Sequence, residues 1–320
     1  MDVAYLENGD LSFRDDYPKP QPGSGEVLLQ VKLAGVCGTD IALVHGYASF
    51  TGVPGHEFVA QVIGVGQDVD EAWQGQRVVA EINQWCGQCE FCHDSNFSHC
   101  TQRRVIGIRD HQGAFAQYLV VKTNTLHRLP EHITDQQAVF IEPLAAAFRI
   151  VEQIKHLSYA RVLLIGAGRL GQLIARVMAL QGVELFVVTR HQKQDRLLQG
   201  LPLSCVDEAQ LQTRSMDIVI EASGHASGFE LALKAVRPTG VCVLKSTYGQ
   251  PQLVNLTELV IHEIQVWGSR CGPFSTAISE LGFGNIEVGS LIEAVYPLSD
   301  IKAAFEKLRE PACMKVLLRP

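Results

Sequence analysis

The segment from Arg161 to Gly171 constrains this chain more than any other. It reads RVLLIGAGRLG, a short apolar run closed by G-x-G-x-x-G at Gly166, Gly168 and Gly171, with Arg169 and Leu170 inside the loop. Alone the pattern is weak. Directly after a strand and opening a helix, it predicts a turn that cradles a pyrophosphate. Gly166 permits the tight turn, Gly168 leaves room for phosphate against the backbone, and Gly171 lets helix and strand pack closely. The helix N-terminus adds free N–H groups and a partial positive charge. An ordinary glycine-rich turn is the alternative, and the downstream pattern opposes it. A helix near 169–182, strands at 185–189 and 217–221, a helix near 226–236 and a strand at 240–245 alternate. Apolar strands alternating with helices predict a doubly wound parallel sheet covered on both faces.

The second strand of such a sheet usually ends near an Asp or Glu that accepts from the ribose 2′-hydroxyl. Here it ends in Thr189, Arg190 and His191, with Lys193 nearby, while Glu184 precedes the strand. A cation at that place suits a 2′-phosphate, so NADP(H) is expected over NAD(H). The competing reading keeps Arg190 in solvent and binds NAD(H).

Upstream the texture differs. Residues 27–33 and 58–63 alternate in β fashion, and PKPQPGSG, GVPG and GVG punctuate them. Short strands between turns predict a β-rich unit. At 136–156 apolar residues recur at helical spacing, and late in the chain 276–281 and 301–308 read as helices before a strand at 314–318. A chain of 320 residues with 47% hydrophobic and 19% charged residues is globular, on the scale of two domains. The net charge of −7 and the lack of a basic run argue against nucleic acid as a partner. No stretch approaches about 18 uninterrupted apolar residues, which argues against a membrane span. The N-terminus lacks the basic and apolar regions of a secretory signal, so a cytoplasmic location is expected.

That location bears on the nine cysteines, since disulfides are rare there. Cys86, Cys89, Cys92 and Cys100 read C-x2-C-x2-C-x7-C within 83–104, a stretch poor in β-branched residues. Four thiols so spaced predict a closed tetrahedral zinc site that organises the lobe where a core cannot. An Fe–S cluster and a nucleic-acid zinc ribbon compete; the acidic charge and the neighbouring β unit oppose both.

Three further segments each have a bland reading: Cys37-Gly-Thr-Asp40, Gly55-His-Glu57 and Glu142-Pro-Leu-Ala145. Cys37 reads equally as a small buried hydrophobe, His56 as a core histidine, and Glu142 as an acid in a helix's first turn. In order, however, GVCGTD, GVPGHEF, the four-cysteine lobe, EPLA and GAGRLG resemble the zinc-dependent medium-chain alcohol dehydrogenase family, nearest its sorbitol- and threonine-dehydrogenase-like branches. The resemblance spans essentially the whole chain. It implies an α/β fold: a GroES-like β-rich catalytic domain at 1–148 and 271–320, and a Rossmann cofactor domain at 149–270. It implies two zinc ions per chain, one held by Cys37, His56 and Glu142 with an open position for catalysis, one by the four lobe cysteines. Zinc then acts as a Lewis acid on an alcohol or carbonyl oxygen while a hydride passes to or from the nicotinamide. In the same way Glu57 is implied as an outer or exchanging carboxylate, Asp40 as the acceptor orienting His56, and Thr39 as the hydroxyl that moves the proton. The resemblance further implies a homodimer or homotetramer that pairs the last Rossmann strand, 263–268, across a two-fold axis.

There are departures. Many relatives carry a histidine five residues after the catalytic cysteine; here that position is Ala42, with His45 three further on. Lys245 to Thr247 and Arg270 are candidates to line the cofactor, and Tyr47, Phe50 and Trp85 to shape a substrate pocket; a structural role competes for each. Two rival functions remain open. One is a zinc-independent NADPH enone reductase, which the intact Cys37, His56 and Glu142 set opposes. The other is a zinc-stabilised dinucleotide sensor without turnover, which only the missing relay histidine favours.

Overall fold

A computed structural model describes residues 1–247 and 253–320. The chain forms two compact units. One holds Met1–Glu142, Phe274–Glu310 and Lys315–Pro320; the other holds Pro143–Pro273 and Pro311–Met314. The expected boundary at 148/149 and the parting of the units at 142/143 both fall within the helix Ile141–Ile154.

The second unit is the alternating one. Its elements are β1 (Arg161–Ile165), α1 (Arg169–Ala179), β2 (Glu184–Val188), α2 (Gln192–Leu198), β3 (Ser204–Val206), β4 (Met216–Glu221), α3 (Ala226–Ala235), β5 (Val236–Leu244) and β6 (Gln265–Gly268). They form one parallel sheet in the order β3-β2-β1-β4-β5-β6. The order reverses beside β1, the place where such sheets leave a crevice beyond the strand ends. Val162, Leu163, Leu164, Val219, Ile220 and Cys242 are wholly buried, as strands covered on both faces require. β3 escapes the sequence pattern because Ser204 and Cys205 are exposed, leaving no apolar run to read. β5 begins four residues before the expected Gly240, across an irregular register with β4.

The first unit is built on a seven-stranded sheet. Its long strand Glu26–Gly35 pairs antiparallel with Glu57–Val65, with Tyr118–Lys122 and with the C-terminal strand Lys315–Arg319. The C-terminal segment thus completes the β unit, and Ile292–Pro297 extends it in parallel beyond Lys315–Arg319. The helical stretch at 136–156 is two helices, Asp135–Ala138 and Ile141–Ile154, the first capped by Thr134. The cysteine lobe is closed at its base by a two-stranded clip, Asn83–Gln84 against Arg104–Val105. Among the described residues no helix is long and apolar enough to cross a membrane.

Candidate metal centres and cofactor loop

In the cysteine lobe two short turns, Glu90–His93 and Phe97–His99, bend the chain so that four distant thiols converge. The sulfurs of Cys86, Cys89, Cys92 and Cys100 lie within 4.8 Å of one another. Cys89 Sγ is 3.5 Å and Cys86 Sγ 3.9 Å from Cys92 Sγ. Backbone N–H groups supply part of the charge balance: Cys86 N–H donates to Cys100 Sγ at 3.3 Å and Gln88 N–H to Cys86 Sγ at 3.4 Å. The backbone N–H of Thr101, with that of Cys92, lowers the Cys89 thiol to about 6, whereas burial pushes Cys92 up to about 11. Four converging thiols, one acidic and one resisting ionisation, are a donor set that a divalent cation completes. Trp85 stacks on Phe97 at 4.2 Å between ring centres and so packs inside the lobe.

The second cluster is assembled from the sheet. Gly35 ends the long strand, Cys37 follows as the N-cap residue of the helix Gly38–Val44, and His56 immediately precedes the paired strand that Glu57 opens. Asp40, His56 and Glu57 are buried. Cys37 Sγ, a ring nitrogen of His56 and a carboxylate oxygen of Glu57 lie within 4.8 Å of one another. The expected partner Glu142, in the first turn of Ile141–Ile154, does not join that group; Glu57 does. Gly35 makes the space, because a Cβ there would stand 2.9 Å from Glu57 Oε2.

Asp40 organises the cluster. Its carboxylate accepts from Cys37 N–H at 2.8 Å and Gly55 N–H at 3.2 Å, and lies 3.3 Å from His56 Nδ1. That last approach is an ion-pair contact between two buried groups. Burial pushes the His56 pKa down, but the charges and hydrogen bonds of Asp40 and Cys37 outweigh it and hold it well above the usual range. One half-buried thiol, one buried imidazole and one buried carboxylate, convergent, fit zinc. Thr39 Oγ1 lies 3.9 Å from Cys37 Sγ. His45 ends the same short helix, its N–H on the Ile41 and Ala42 carbonyls.

Sequence reasoning missed Lys315. It is buried on the C-terminal strand and its ammonium forms a short ion pair with the Glu57 carboxylate. The available signal was a lone lysine inside the apolar run 314–318.

In the second unit the glycine loop has the geometry its residues require. Gly166 has φ +98°, and a Cβ on Gly171 would stand 2.0 Å from the Gly166 carbonyl oxygen. Gly168 faces open space and precedes α1, whose first N–H groups have no partner within the helix. That is a cradle for an anion. Thr189, Arg190 and His191 form the turn between β2 and α2. Arg190 Nη2 reaches Ser227 Oγ at 3.4 Å, and Thr189 Oγ1 donates to Asp195 at 2.5 Å. Lys245 is committed elsewhere, its ammonium on the carbonyls of Ala146 and Arg270 at 2.8 Å each.

Comparison with known proteins bears on the family and the fold. Residues 23–131 match the alcohol dehydrogenase GroES-like domain, and residues 135–318 match the glucose dehydrogenase C-terminus. Sorbitol dehydrogenase of Halalkalibacterium halodurans is 26% identical over 323 residues, covering 95% of this chain and 94% of that one. A Sinorhizobium meliloti 1021 protein described as a zinc-binding dehydrogenase, solved bound to NADP, superposes with a TM-score of 0.90 at 26% identity, covering 100% of this chain and 99% of that one. RspB of Escherichia coli CFT073, solved with NADH, gives a TM-score of 0.89 at 28% identity, with coverages of 100% and 99%.

Proposed function

Because the chain belongs to the zinc-type medium-chain alcohol dehydrogenase family, we propose that it is a zinc-dependent oxidoreductase. It passes a hydride between a secondary alcohol or polyol, or the matching carbonyl, and a nicotinamide cofactor. The observation that carries the reading is the convergence of half-buried Cys37 with buried His56 and Glu57 in a chain that also holds the glycine cradle. Sorbitol, D-arabinitol and erythritol/L-threitol dehydrogenases among the relatives point to a polyol-like substrate.

Zinc, when bound, supplies Lewis acidity that lowers the pKa of an alcohol hydroxyl, and the nicotinamide supplies the hydride acceptor. Cys37 and His56 hold the catalytic ion, with Glu142 as third ligand on the family resemblance and Glu57 as the carboxylate already beside them. Asp40 fixes the helix start and the His56 ring. Thr39 Oγ is the hydroxyl that takes the substrate proton outward. Cys86, Cys89, Cys92 and Cys100 hold a second, structural zinc. Gly166, Gly168, Arg169, Leu170 and Gly171 seat the pyrophosphate, and Arg190, with Thr189 and His191, favours NADP(H) over NAD(H).

The protein works in the cytoplasm as a homodimer or homotetramer. β6 is an edge strand, and Val266 on it and Leu256, Val260 and Ile261 just before it are exposed. A bare apolar edge of this kind is covered by a second copy. Sedimentation at micromolar concentration is expected to give a dimer or larger, and a monomer overturns that part.

Elemental analysis together with a turnover screen of polyols, secondary alcohols and ketones, run with both cofactors, tests the whole. About two zinc ions per chain and polyol oxidation are expected. Turnover that survives complete loss of the ion at Cys37 and His56 overturns the zinc mechanism.

A further inference from the structure

A buried arginine lies behind the cofactor loop. Arg176 on α1 is only 5% exposed. Its guanidinium donates to the Gln172 carbonyl at 3.0 Å, to Gln172 Oε1 at 2.8 Å and to the Leu197 carbonyl in the last turn of α2 at 3.0 Å. Arginine has only donors, so the side-chain atom of Gln172 facing it must be the oxygen. The amide orientation of Gln172 is thereby fixed, and its NH2 group points the other way. There it donates to the Ala167 carbonyl inside the glycine loop and to the Gln194 carbonyl in the first turn of α2, both at 3.2 Å.

Gln194 closes the circuit. Its Oε1 accepts from Arg190 N–H at 2.9 Å and from His191 N–H at 3.3 Å. The seven-residue helix α2 is therefore stapled to α1 at both its turns, near Leu197 by Arg176 and near Gln194 by Gln172. The turn that presents Arg190 is in turn stapled to α2. A desolvated guanidinium is costly unless neighbouring dipoles hold it, so this network has one low-energy arrangement. Sliding α2 would break the Arg176–Leu197 and Gln172–Gln194 hydrogen bonds and leave the Arg190 and His191 N–H groups without their acceptor.

We propose that Arg176, Gln172 and Gln194 are positioning residues that fix the Arg190 turn relative to the glycine loop, and thereby set the discrimination between NADP and NAD. None of the three needs to touch the cofactor. The proposal rests on the reading above that Arg190 selects the 2′-phosphate.

The test measures dissociation constants of NADP+ and NAD+ by calorimetry for the full-length wild type, Arg176→Met and Gln194→Met. It adds amide exchange over residues 187–198 and kcat at saturating NADP+. In both variants the NAD+/NADP+ ratio of dissociation constants is expected to fall by about tenfold, almost wholly through weaker NADP+ binding. Exchange at Arg190 and His191 should quicken while that in β1 stays slow, and the effect should fall on NADP+ affinity rather than on kcat. Gln194→Met removes only the acceptor for two N–H groups and keeps the test alive if Arg176→Met fails to fold. A wild-type ratio near one overturns the NADP reading, and this proposal with it. A wild-type ratio well above one that both variants keep within twofold, or a loss shared equally by both cofactors, overturns the proposal alone.

Discussion

The cysteine lobe and the Cys37 cluster bring metal-type donors together by opposite means. In the lobe all four donors come from one 15-residue stretch, on short turns and around a single Trp85–Phe97 stack. The Cys37 cluster draws its donors from two paired strands and the helix between them, and a lysine 258 residues from Glu57 in sequence completes its charge balance. Little besides the four converging thiols holds the lobe together, whereas the sheet holds the Cys37 cluster. A donor set gathered within one short segment can be read from spacing; one that paired strands assemble cannot.

Paired substitutions break that comparison most sharply. Cys37→Ala is expected to lower kcat/KM by more than about 1,000-fold while the protein stays folded, because the sheet does not depend on that ligand. Cys89→Ala should act in the reverse order, destabilising the fold by more than about 4 kcal/mol, the range reached when a structural metal is lost. Kinetics and urea unfolding of both variants check this. Equal loss of stability in the two would erase the distinction.

Lys315 probes the same contrast from below. Removing one partner of a buried ion pair leaves the other uncompensated, which costs about 3–5 kcal/mol. Lys315→Met should therefore destabilise the metal-free protein by about that much, and zinc should restore part of it, since the cation then faces Glu57 instead. Unfolding curves with and without added zinc measure both. No recovery on adding zinc would mean that Glu57 does not sense the ion.

These cases also show what was legible. The strand Arg161–Ile165 and the glycine loop could be read residue for residue, because turn, phosphate cradle and helix start are contiguous and each glycine has its own steric task. The four-cysteine lobe was legible for the same local reason. Convergence of Cys37, His56 and Glu57 was not, since nothing in their spacing fixes a register between strands. Only the ordered family motifs pointed there, and they named Glu142 while the compact donor group contains Glu57. Lys315, Gln172 and Arg176 left one weak signal each: a polar residue set among apolar neighbours in an element whose face is buried.

The second unit should respond to cofactor chemistry where the first responds to metal. Arg190→Ala is expected to remove a charge-assisted contact to the 2′-phosphate and to weaken NADP+ binding by about 1.5–3 kcal/mol, or roughly 10–150-fold in the dissociation constant. The NAD+ value should scarcely move, and the gap should narrow in high salt, because Arg190 is near the surface. Thr189→Asp with Arg190→Ala should reverse the preference. Equal affinities in the wild type, unchanged by Arg190→Ala, would remove selectivity from this turn.

The smallest expected effect lies at the opposite end of the same sheet, where no ligand is involved. Asp217 Oδ2 accepts from Ala160 N–H and Arg161 N–H at 2.8 Å each, and Oδ1 accepts from Arg237 Nε at 2.7 Å. Burial raises the Asp217 pKa, but the Arg161 and Ala160 N–H groups and the Arg237 guanidinium outweigh it and leave it below the usual carboxylate value. The carboxylate thus binds its proton more weakly when folded than when unfolded. Its contribution to stability is complete above the unfolded value, near 3.9, and is lost as pH falls through the lower folded one. The Arg237 side chain is 40% exposed, so solvent screens the pair and the contribution is discounted to about 1 kcal/mol. Asp217→Asn should therefore cost about 1 kcal/mol in urea unfolding at pH 7 and progressively less as the pH falls below about 4, in the presence or absence of zinc. A zinc-dependent cost would show that the two units share their stability, and a cost that grows toward acid would show that the sign of the shift is wrong.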